Sequence, residues 1–176
     1  MGNSVIKYDI YPWSKILPRW FFGMIEMGIS VYLVISFKMY VGLAYAAYWI
    51  VSMLVLLPLI RCIHCYYYGK RCNTALGLFA GFAFPQGETI YFQAGYALTF
   101  ILWPLRIIPV GIGLLGLLDG VTFIPDGLFG IYIIIIVLHR LYYRTANCRV
   151  CNMQSECPVY NPHVLRTRTE IREIPE

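Results

Sequence analysis

Four stretches of this chain, residues 20–37, 40–60, 91–118 and 121–141, are apolar over roughly the 20 residues a helix needs to cross the hydrocarbon of a bilayer. Few features constrain a fold more. Backbone N–H and C=O groups in hydrocarbon have no water to bond, so each segment must satisfy its own, which selects helices. Composition agrees: 59% of the 176 residues are hydrophobic and 13% charged, against about 25% charged in an ordinary soluble domain. Mean hydropathy is +0.63. One core of this size cannot hide so much apolar surface, which excludes a soluble globular, disordered or fibrous chain. The expectation is an all-α polytopic membrane bundle of four transmembrane helices carrying a Cys-rich, metal-bound cap on its cytoplasmic face. Only Lys38 and Met39 separate the first two spans, so these form a tight hairpin. Pro104, Arg106 and Pro109 interrupt the third, which is expected to be kinked or broken.

Twelve of the 14 basic residues fall on one side of such a bundle: Lys7, Lys15 and Arg19; Arg61, Lys70 and Arg71; Arg140, Arg144, Arg149, Arg166, Arg168 and Arg172. Lys38 lies opposite and Arg106 lies inside a span. Positive charge marks the cytoplasmic side, so both termini of a multi-pass cell-membrane protein are expected there. The net charge of +5 then reads as cationic loops beside anionic lipid. A nucleic-acid partner is not expected, because the charges hug the span ends. The chain divides into an interfacial segment (1–19), a first hairpin (20–60), a cysteine loop with an amphipathic or re-entrant stretch (61–90), a second hairpin (91–143), a second cysteine segment (144–157) and a polar tail (158–176). The first segment has no small-residue cleavage site after an apolar stretch, so it is not read as a cleavable signal.

All six cysteines lie in two short segments: Cys62, Cys65 and Cys72, spaced C-x2-C-x6-C, and Cys148, Cys151 and Cys157, spaced C-x2-C-x5-C. Each triplet follows an even-numbered span, so four-span topology places both on one face. Hairpin and triplet thus occur twice, a coarse parallel repeat. Two residues between thiolates let one turn present both sulfurs to one ion. One tetrahedral Zn2+ fits Cys62, Cys65, Cys148 and Cys151, leaving Cys72 and Cys157 spare, or all six serve one site. A [4Fe–4S] cluster on four of the six is the rival, since thiolate ligands do not choose between the two. His64 inside the first knuckle and Tyr68 just after it are candidates to support the ligands, although interfacial anchoring is the preferred reading of His64, explains the neighbouring tyrosines without function and is the default for His139.

The paired triplets resemble the cysteine spacing of fungal binuclear zinc-cluster domains, in which six cysteines hold two zinc ions. Cys157-Pro158 is similar to the Cys-Pro ending of bacterial ferredoxin motifs, which pack their cysteines more closely. A small bundle with CxxC pairs is also similar to the quinone-linked, disulfide-forming membrane oxidoreductases. That resemblance implies disulfide exchange at Cys62 and Cys65 with Arg106 beside a quinone. Those enzymes work on the oxidising side, however, whereas cytoplasmic thiols stay reduced.

Glu26 and Arg106 are charges inside spans, where they are costly and need a partner or a wet cavity. They are expected to pair, either to fix helix packing or to form a polar pocket. Phosphate-binding, dinucleotide and metalloprotease motifs are absent. The expectation is therefore a non-enzymatic accessory, structural or electron-transfer subunit with a Cys-ligated metal. It would sit in the lipid bilayer with other membrane subunits or further copies of itself. A thiol oxidoreductase and a small transporter built round Glu26 and Arg106 are the alternatives.

Overall fold

The computed structural model describes residues 7–118, 127–155 and 157. Five helices follow in order: α1 (Trp13–Phe37), α2 (Met39–His64), a short α3 (Leu76–Ala83), α4 (Thr89–Leu118) and α5 (Leu128–Val150). Among the described residues there is no strand, only a parallel bridge between Tyr8 and Cys151. All but α3 are long and apolar enough to cross a membrane, and each of the four is buried over less than a third of its most apolar window. Large side chains such as Phe21, Leu43, Ile107, Leu117 and Ile134 face outward, as a lipid-solvated surface requires.

Helix α1 is the hub and packs on α2, α4 and α5. Leu33 and Val34 from α1 meet Tyr45, Leu105, Ile112, Phe129 and Tyr132 in the main core. The α1–α2 turn is as tight as its two linking residues require. Lys38 is extended at φ −159° and ψ 121°, and its N–H donates to the Val34 carbonyl at 3.1 Å. Gly42 lets the helices touch there, since a Cβ would stand 2.6 Å from Ile35 Cα.

Three boundaries differ from the sequence expectation. Residues 13–19 form the first turns of α1, continuous with the first span. Pro18 lies inside the second turn of that helix, where it leaves the Ser14 carbonyl without its intrahelical donor. The chain before α1 docks into the protein: Tyr11 is fully buried, beside Ile16, Tyr67, Cys72, Phe92 and Met153. Secondly, α5 does not end at residue 141. It runs through a π turn at Tyr143–Asn147 into a 3-10 turn at Cys148–Val150, so the first two cysteines of the second triplet start in the last turn of a helix. The proposed start of that span falls on residues outside those described.

Thirdly, the break in α4 precedes its prolines. The helix is α over Phe92–Ala97, 3-10 over Leu98–Leu102 and α again over Pro104–Leu118. Pro104 opens the last segment, where a missing N–H costs little, and the turn before it tightens. Pro109 lies inside that segment and cannot donate to the Leu105 carbonyl one turn back. The Tyr45 hydroxyl of α2 donates to that carbonyl instead, at 2.6 Å. The Tyr48 hydroxyl similarly donates to the Ile101 carbonyl in the 3-10 stretch.

Candidate metal centre

The two CxxC segments fold alike. Each begins as a 3-10 turn, Cys62–His64 and Cys148–Val150. Cys65 and Cys151 are then extended, with ψ of 148° and 132°. The Cys65 N–H donates to the Cys62 carbonyl at 3.2 Å, and the Cys151 N–H to the Cys148 carbonyl at 3.3 Å. The next turn repeats as well: Tyr68 N–H donates to the Cys65 carbonyl at 3.0 Å and Gln154 N–H to the Cys151 carbonyl at 3.1 Å. In this local sense the chain contains its knuckle twice, at the ends of α2 and α5.

All six cysteines line one cavity of about 90 Å³. It lies at the end of the bundle where α1 and α4 begin and α2 and α5 finish. Every cysteine is a free thiol, and four of them are buried. Cys72 Sγ accepts from the Gly77 N–H at 3.3 Å and lies 3.1 Å from Thr74 Oγ1. Gly77 is required here, because a Cβ would strike the Tyr67 carbonyl. Among the described residues, no three His, Cys, Asp or Glu side chains are drawn into a cluster that could hold a metal ion; the thiols surround a shared space. Burial pushes the Cys65 thiol up to about 11, opposed by the Tyr67 backbone amide and Arg61 and reinforced by Cys72 and Cys151.

The segment before α1 ties the two triplets together. Tyr8 N–H donates to the Val150 carbonyl at 3.0 Å, and Tyr11 N–H to the Arg71 carbonyl at 2.9 Å. The Tyr11 hydroxyl donates to the Asn147 carbonyl at 2.9 Å. The Tyr67 hydroxyl donates to the Tyr8 carbonyl at 2.6 Å and accepts from the Asn152 N–H at 3.0 Å. Tyr11 and Tyr67 both line the cavity, and burial pushes both phenols up. Aromatic residues near span ends suggest a headgroup belt. The partners that make these two interior depend on which loops meet, and no local pattern marks that.

His64 and Tyr68 do not line the cavity. His64 Nδ1 lies 2.8 Å from the Glu88 carbonyl oxygen and its ring meets Tyr91. The Tyr68 hydroxyl donates to the Phe84 carbonyl at 2.7 Å. Both brace the loop around α3. Arg19 and Arg61 do line the cavity. The Arg19 guanidinium stacks over Tyr143 at 4.0 Å, and Arg61 lies 4.9 Å from the Tyr96 ring centre.

A second polar group lies near the middle of α1, α4 and α5. Glu26 Oε1 accepts from Arg106 Nε at 2.9 Å, and Oε2 lies 2.6 Å from His139 Nδ1. Glu26 and His139 are largely shielded, whereas Arg106 is half exposed. His139 is thus a member of this cluster. A signal for it existed: a carboxylate and an imidazole in different spans each need a partner. Compared with protein-family models, curated proteins and solved structures, the chain matches none.

Proposed function

We propose that the four long helices span a cell membrane with both termini and the cysteine cavity on the cytoplasmic side. The cavity holds a thiolate-ligated metal centre, zinc or [4Fe–4S]. The protein then serves as an accessory or electron-transfer subunit, docked to other membrane subunits or to a second copy. One observation carries this reading: six free thiols, four of them from two similarly folded CxxC knuckles, line a single cavity. Knuckles on different helices become one site only when the helices are packed, so a metal there stabilises the packed state selectively. Disulfide exchange is less well supported. The attacking species is the thiolate, and Cys65 is held well above the usual thiol range by burial. A metal ion displaces the proton that burial retains.

The test is to purify the protein in detergent without oxygen, record its visible spectrum and measure zinc and iron per chain. Colourless protein with bound zinc, or brown protein with iron, is expected, and Cys62→Ser with Cys148→Ser should lose the metal. Protein with intact thiols and neither metal overturns the proposal.

A further inference from the structure

Among the described residues, the lining of the cavity carries positive charge with no carboxylate to balance it. No carboxylate, lysine or histidine is among its described lining residues, yet Arg19 and Arg61 both are. Among the described residues the ion pairs join Glu26 to Arg106 and to His139, and none of them involves Arg19 or Arg61. Arg19 Nη1 is buried without a hydrogen-bond partner. Arg61 lies within electrostatic reach of Cys62, Cys65 and Cys157, and Arg19 of Cys148, so the two cations face both triplets. Stacking on Tyr143 and Tyr96 compensates only in part, at about 0.5–2 kcal/mol each. Shielded charges without an opposite charge are strongly unfavourable. With neutral thiols the cavity is a cationic hole, which selects an anionic occupant.

The formal charges of the candidate centres converge. One Zn2+ on four thiolates, two Zn2+ on six, and an oxidised [4Fe–4S] core on four each carry a net charge of about −2. In the first case four thiols lose four protons to solvent as four Zn–S bonds form; in the second, six protons leave. We infer that the cavity is built for a dianionic metal–thiolate centre whose charge Arg19 and Arg61 neutralise, one from the start of the first hairpin and one from its end. The inference rests on the proposed metal-binding function and adds to it the charge of the centre and two positioning residues. Their basic character also satisfies the cytoplasmic-side rule, which hides the second role in the sequence.

Two measurements test this. Anaerobic titration of the metal-stripped, fully reduced protein with Zn2+ in weakly buffered solution at pH 7, read with a pH indicator, counts the protons released; twice the number of zinc ions bound minus the number of protons released gives the charge of the centre. Two negative charges are expected, and a neutral or cationic centre overturns the inference. Separately, Arg61→Gln and Arg19→Gln should each release metal to a chelator about 10–100-fold more readily, the usual effect of removing a group that supports ligands. Arg61→Lys, which keeps the charge, should recover most of the loss, and Lys70→Gln on the exposed face should have no effect. Metal retention in the Gln variants equal to wild type overturns the role of the arginines. If Arg61→Gln does not fold, the proton count on the unaltered protein still decides. Wild-type protein without metal would instead overturn the underlying function, a distinguishable result.

Discussion

Glu26 shows most clearly how one residue organises its neighbours. It is the single carboxylate of the described spanning helices, and it serves two partners, Arg106 and His139, at 2.9 and 2.6 Å. Breaking a buried pair by removing one charge costs about 3–5 kcal/mol, because the other charge is left unsatisfied. Glu26→Gln should therefore lower thermal stability in detergent strongly, since a neutral amide leaves the Arg106 guanidinium without its counter-charge. If the cluster only sets helix registry, the fraction that survives purification keeps its metal content. Loss of metal with stability intact would instead couple the cluster to the cavity. The need for a partner to Glu26 was legible in the sequence, and Arg106 was its natural choice. His139 was not, because its neighbour Arg140 and its place at the end of an apolar run fit an anchor equally well.

At the scale of the element, α4 illustrates what hydropathy omits. Its length and its prolines are plain in the sequence, and a disturbed helix follows from them. The sequence does not say where the disturbance falls or how the freed carbonyls are satisfied. The Tyr45 and Tyr48 hydroxyls of the neighbouring helix reach the Leu105 and Ile101 carbonyls, a tertiary solution to a local defect. Tyr45→Phe removes the donor to Leu105 and leaves a buried carbonyl unpaired, at a cost of about 1–3 kcal/mol. A lower unfolding midpoint is expected, with the metal content of the proposed centre unchanged. No change in midpoint would show that the carbonyl finds another donor.

Across the whole molecule, the cap is a junction of three chain segments: the two cysteine knuckles and the residues before α1. Tyr11 bonds to both knuckle segments, through Arg71 and Asn147, and its ring packs on Tyr67 at 5.5 Å. Tyr11→Ala removes a fully buried ring, of a kind whose loss costs about 3–5 kcal/mol in a core. Because the spans do not depend on this ring, the variant should still insert in the membrane. Its cysteines should become labelled by a maleimide that leaves the wild type untouched. Equal labelling of the two would show that the clamp does not close the cavity.

The number of long helices, their hairpin pairing and the occurrence of two similar cysteine segments are one-dimensional properties. Hydropathy and spacing depend only on which residues follow one another, and so the sequence by itself determined them. The convergence of all six thiols on one cavity, the burial of Tyr11 between the knuckles, the entry of Arg19 and Arg61 into the cavity and the place of His139 beside Glu26 were decided only by the tertiary structure. Each is a contact between segments distant in the chain, and such contacts arise when helices choose neighbours and depths. A side chain at a helix end can reach lipid headgroups, solvent or an interior space, and its identity alone does not distinguish these. Packing does, by placing an opposite end, a free carbonyl or a charge within reach.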